Sequence, residues 1–151
     1  MQEMLRTLHE MSPMSVADAG YLYWLCERTM RGYVEETWGR WNEEGIRAEL
    51  SRLATEGAAS TISVEGGRVG AIVCDYRGDP IVLEQLFIEP EHQRRGIGAH
   101  VVRLVLDRAR ESRVGVKLGV LKVNPAKSFY ERLGFGVVGE TETRYDLEWH
   151  A

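Results

Sequence analysis

Residues 81–111 constrain this chain more tightly than any other stretch. An apolar run, IVLEQLFIE, meets an amphipathic run, Gly96 to Glu111, across a short polar turn. The first reads as a buried strand, bounded by Arg77-Gly78-Asp79-Pro80 before it and Pro90 after it. In the second, Ile97, Val101, Leu104, Val105 and Ala109 recur at helical spacing, so one side must be covered. Arg108 falls beside that stripe, its stem along the core edge and its charge in water. A buried strand feeding a one-sided helix belongs to a sheet layered with helices.

The rest of the chain fits that layer. Residues 5–11 form a short first strand. Ser15 caps a helix through 16–36, which Gly39 stops, and Asn42 caps a second helix over 43–54. Strands over 58–65 and 68–76 flank Gly66-Gly67, a hairpin signal. Val114 to Val123 is valine-rich and extended, Pro125 opens a short helix that Gly134 ends, and strands follow near 135–140 and 143–149. The order β-α-α-β-β-β-α-β-α-β-β implies an α/β fold with a mixed central sheet of six to seven strands and four flanking helices. The 151 residues suit a single domain spanning 1–151.

Bulk properties exclude several classes. A formal net charge of −4 argues against a nucleic-acid partner, which needs a basic surface. No stretch approaches a membrane span, and MQEMLRTLHEM has no apolar run to act as a signal peptide. Cys26 and Cys74 stand apart without a CxxC pattern, so they read as buried free thiols in a reducing compartment. No metal is expected, and the protein is placed in the cytoplasm.

The turn at Pro90 to Ala99 carries the clearest chemistry. The first amides of a helix lack internal partners and point together at its positive end, which suits an anion. Gly96 and Gly98 let a bulky phosphate approach the backbone, and Arg94 and Arg95 add charge. A plain strand-to-helix turn with two solvated arginines would look the same. The nucleotide pattern GxxxxGK[ST] is absent. A literal GxGxxG occurs at Gly134-Phe-Gly136-Val-Val-Gly139, but it leaves a helix and enters a strand, the reverse of a dinucleotide fingerprint.

Two segments resemble the GNAT superfamily of N-acetyltransferases. LEQLFIEPEHQRRGIGAHVV, at 83–102, resembles its motif A through Gln93-Arg94-Arg95-Gly96-Ile97-Gly98. LKVNPAKSFYERLGFGVV, at 121–138, resembles its motif B through Asn124, Tyr130 and Leu133-Gly134-Phe135. The resemblance implies acetyl-CoA as co-substrate, its pantetheine arm lying between splayed strands 83–88 and 114–123. It implies that backbone groups of Phe87 and Ile88 pair with the arm, that the segment Gln93, Arg94, Arg95, Gly96, Ile97, Gly98 and Ala99 holds the diphosphate, and that Asn124 binds the arm from the far side. It also implies that Tyr130 protonates the departing thiolate. By residue type alone, Tyr130 reads rather as a core aromatic beside Phe129 on the short helix.

Transfer to an amine needs a base, because alkyl amines are mostly protonated at neutral pH. Glu84 is the first candidate: strand alternation puts it on one face with Leu86 and Ile88, in an apolar run where an unpaired charge is costly. His92 is a weaker one. The stretch Met30 to Trp41 is dense in aromatics and acids; Tyr33, Glu36 and Trp38 are candidates to recognise a cationic acceptor, or to close a helix corner. The acceptor is a primary amine of an unidentified small molecule or peptide. A module that binds acetyl-CoA without turnover is the competing reading, and the resemblance also implies a homodimer through the late strands.

Overall fold

The computed structural model describes residues 9–151; residues 5–8 of the expected first strand lie outside them. The elements are β1 (His9–Pro13), α1 (Ala19–Trp38), α2 (Glu43–Thr55), β2 (Ala59–Val64), β3 (Gly67–Asp75), β4 (Ile81–Ile88), α3 (Ile97–Ser112), β5 (Val116–Leu121), α4 (Ala126–Arg132), β6 (Gly136–Glu140) and β7 (Arg144–Trp149). They follow the order read from the sequence. The seven strands form one sheet in the order β1-β2-β3-β4-β5-β7-β6. Every neighbouring pair is antiparallel except β4 and β5, which are parallel.

Local chemistry sets the ends of the helices. The Ser15 hydroxyl accepts from the Ala17 amide, and the Ser15 amide donates to Asp18. This box caps a single 3-10 turn, Val16–Asp18, from which α1 continues. At its far end the Gly39 amide donates to the Glu35 carbonyl. The Asn42 side chain accepts from the Gly45 amide and caps α2. The hairpin turn falls on Glu65-Gly66, one residue before the expected Gly66-Gly67, and β3 starts at Gly67. The literal GxGxxG segment ends α4 at Gly134 and enters β6.

The sheet separates two apolar clusters. On one face Ile81, Leu83 and Ile88 of β4 pack with Ile97, Val101, Val105 and Ala109 of α3, and with Tyr130 and Phe135. On the other, Ala71, Val73 and Phe87 pack with Leu22, Leu25 and Cys26 of α1 and Leu50, Leu53 and Ala54 of α2. Burying side chains on both faces accounts for the near-continuous apolar character of β4. Arg108 lies over the Tyr76 ring at 3.9 Å, beside the α3 stripe. Cys26 and Cys74 are buried and unbridged, and burial pushes their thiols up to about 12 and about 11. Among the described residues no helix is long and apolar enough to cross a membrane.

Candidate active site

The site begins where the sheet parts. β4 and β5 are in register only at Ile81–Val116 and Val82–Lys117; beyond Val82 the strands share no ladder. β5 stays paired to β7 along its length, and β4 stays paired to β3. The backbone edges facing the gap therefore have no strand partner.

A bulge changes what β4 presents there. Val73 pairs with Gln85 but Cys74 pairs with Leu83, so Glu84 stands without a partner on β3. Leu83 belongs to the cluster under α3 and Leu86 packs against that cluster. Two residues three apart share a face only when an extra residue breaks the period of two. Glu84 is exposed, so its expected place beside Leu86 and Ile88 is corrected: the bulge gives that face to Leu83. The backbone follows the same logic. The Glu89 amide donates to the Val69 carbonyl at 2.8 Å, so by alternation the polar groups of Phe87 also face β3. A Cβ on Gly70 would lie 2.1 Å from the Phe87 carbonyl oxygen, which confirms where that carbonyl points. The expectation that Phe87 serves the gap is corrected too; the groups of Leu86 and Ile88 are turned toward it.

A cleft of about 770 Å³ opens at this gap. One wall is the turn into α3. Gln93 donates its side-chain amide to the Ile88 carbonyl at 2.9 Å, and Arg28 of α1 pairs with Glu91, so the first part of the turn is braced from two sides. Arg94 and Gly96 adopt positive φ, 63° and 81°, which aims the chain into the first turn of α3. Gly96, Ile97, Gly98 and Ala99 line the cleft. Gly98 is informative because neither conformation nor packing requires it. Its φ is not positive, and a Cβ there would meet Phe129, Leu86 and Ile88 at ordinary distances of 3.5, 3.8 and 3.9 Å. Alanine would fit there on both counts, so this glycine leaves the amides of the first turn of α3 bare without the fold requiring it.

The opposite wall is α4 with the turn before it. Asn124 accepts from the Ala126 amide at 2.9 Å, which starts α4 and leaves its side-chain NH2 toward Met30. Tyr130 is buried at 9% exposure, edge-on to Phe129 and Phe135, yet lines the cleft. Its hydroxyl has no hydrogen-bond partner among the described residues. Burial holds it above the ordinary phenol range. It thus remains a donor at neutral pH.

The structure brings together most of the residues singled out from sequence. Ile88, Gln93, Arg94, Gly96, Ile97, Gly98, Ala99, Asn124 and Tyr130 line one cleft, as do Tyr33 and His92. Glu84, Phe87 and Arg95 do not line it, nor do Glu36 and Trp38. Both Glu36 and Trp38 lie on the exposed side of α1, Trp38 at 57% exposure. Trp41 closes the helix corner instead, its indole donating to the Tyr23 hydroxyl at 2.8 Å. Sequence reading missed Thr29 and Met30, one helical turn before Tyr33, and also Leu86, Arg103 and Arg132. The helical spacing of Tyr33 from Thr29 (four residues) and from Met30 (three) was available as a signal; the packing of Arg132 was not.

A family model described as the acetyltransferase (GNAT) domain matches residues 53–137. No curated protein sequence matches the chain. Solved structures share the fold at low identity. The PaiA N-acetyltransferase from Thermoplasma acidophilum, in complex with coenzyme A, is 16% identical with a TM-score of 0.70, covering 95% of this chain and 99% of its own. An acetyltransferase from Thermus thermophilus is 22% identical with a TM-score of 0.70, over 95% and 97%. Arabidopsis thaliana Naa50, in complex with the bisubstrate analogue CoA-Ac-MVNAL, is 17% identical with a TM-score of 0.69, over 95% and 99%.

Proposed function

The chain belongs to the GNAT acetyltransferase family, and from that premise we propose that it transfers an acetyl group from acetyl-CoA to a primary amine of a small molecule or peptide. The observation that carries this reading is the unpaired gap between β4 and β5, continuous with the bare backbone at the start of α3. Acetyl-CoA supplies an acyl group activated as a thioester. The amides of Gly96 to Ala99 hold its diphosphate at the positive end of α3, with Arg94 beside them. The amide of Leu86, turned to the gap, donates to the oxygen that gains charge as the amine attacks. Asn124 offers its side-chain NH2 from the other wall.

Tyr130 is the donor to the departing sulfur. A phenol held above its ordinary range does not fully protonate a thiolate whose own pKa is about 8.5. Its contribution is a hydrogen bond that stabilises the sulfur as it leaves, with solvent completing the protonation. No carboxylate lines the cleft among the described residues. The amine's proton therefore leaves to solvent water, and Glu84, exposed on the bulge, has no part in the transfer. Tyr33, with Thr29 and Met30, forms the α1 wall nearest an incoming acceptor. That Naa50, of the same fold, is solved with a peptide linked to CoA supports including peptides among the acceptors. Use of acetyl-CoA and two unbridged thiols fit a cytoplasmic protein. A homodimer would form along β6, the outer strand, where Val137 and Val138 are 41% and 58% exposed.

The test is thiol release from acetyl-CoA across a panel of polyamines, amino acids, drug amines and peptides. Release that depends on a particular amine is expected. Tight acetyl-CoA binding with no release from any amine would replace the enzyme with a sensing module, and no binding would end the reading.

A further inference from the structure

Acetyl-CoA carries a second anionic group, the 3′-phosphate, on the same ribose that bears the 5′-diphosphate. The cradle at the start of α3 accounts for the diphosphate only. Two more guanidinium groups line the same cleft, Arg103 on α3 and Arg132 at the end of α4. Arg103 lies one helical turn beyond Ala99 on the same face, roughly 6 Å further along the axis at 1.5 Å per residue. Asp107, one helical turn from Arg103, and Glu131, the neighbour of Arg132, are both engaged elsewhere. Asp107 pairs with Arg110 at 3.0 Å, and Glu131 faces Lys127 at 3.8 Å. Among the described residues neither Arg103 nor Arg132 has an ion-pair partner. In a chain of net charge −4, two uncompensated arginines from different helices line the same cleft as the diphosphate cradle.

We propose that Arg103 and Arg132 bind the 3′-phosphate and make the protein selective for acetyl-CoA over acetyl-dephospho-CoA. This rests on the acetyl-CoA reading above. Two planar, permanently charged donors suit a phosphate that also faces water. Both side chains are exposed, so the gain is modest and falls with salt.

The experiment is calorimetric titration of the wild-type protein and the Arg103→Ala/Arg132→Ala variant with each of the two ligands, at low and high salt, with a melt for each protein. The wild type is expected to bind acetyl-CoA roughly tenfold more tightly than the dephospho form, the scale of two partly exposed charge contacts. The double variant is expected to lose that preference, bind the dephospho form as the wild type does, and melt unchanged. Equal wild-type affinity for the two ligands would overturn the proposal, since the arginines would then be merely solvated. So would a preference that survives in the variant, or an equal loss for both ligands. If neither ligand binds the wild type, the acetyl-CoA reading itself has failed, a result distinct from equal binding of both.

Discussion

At the scale of single residues, the site separates Tyr130 from Glu84. Both suit the chemistry by residue type, and only one lines the cleft. Tyr130→Phe keeps the ring and its edge-on contacts with Phe129 and Phe135 while removing the hydroxyl. We expect kcat to fall by about 10²-fold with acetyl-CoA affinity nearly unchanged. Because burial raises the Tyr130 hydroxyl above the ordinary phenol range, it stays protonated as pH rises. The rate should then climb from about pH 6 to about 9 as more amine becomes neutral, with no alkaline fall in that window. Glu84→Gln should leave both rate and profile within about twofold, as suits an exposed residue on a bulge. A large defect in Glu84→Gln that shrinks with pH would reinstate it as the base through water, and full activity in Tyr130→Phe would return the tyrosine to the core.

At the scale of elements, much was legible because each piece is locally consistent. Apolar spacing marks α3, Ser15 and Asn42 mark helix starts, and the structure follows the order those signals imply. What failed was the assumption of strict alternation along β4. A bulge is a property of two paired strands, and nothing in IVLEQLFI alone says that Glu84 is the unpaired residue. The same blindness affects Arg132, whose place in the cleft depends on how α4 docks. Gly98 shows the opposite case, where the sequence signal survives. Glycine there relieves no clash and no strain. We therefore expect Gly98→Ala to raise the melting temperature of the free protein by roughly 1–4 °C, from the helical cost of glycine. It should also weaken acetyl-CoA binding by placing a methyl group between the amides and the diphosphate. Unchanged affinity in Gly98→Ala, measured by titration, would remove the ligand as the reason for this glycine.

At the scale of the whole molecule, the sheet is two blocks joined at a narrow seam. β1 to β4 form one and β5, β7 and β6 the other, with two register pairs between them. The net charge of −4 conceals the cationic rim of the gap, because composition averages over both blocks. A ligand lying in that gap touches the strand edge and loop of one block and α4 of the other. It binds only the folded chain, so linkage adds about 2.7 kcal/mol at a concentration roughly one hundred times Kd. For a domain of this size that corresponds to a rise of roughly 5–10 °C in melting temperature. The distribution of the effect says more than its size. Hydrogen exchange with saturating acetyl-CoA should slow at Leu86 and Ile88, across residues 96–99, and also in α4 on the far side of the seam. Gly98→Trp, which fills the cradle, should abolish both the melting shift and the added protection. Protection confined to 93–98, with α4 exchanging as before, would mean that the ligand rests on the loop without entering the gap, and the transfer geometry built on the parted strands would have to be abandoned.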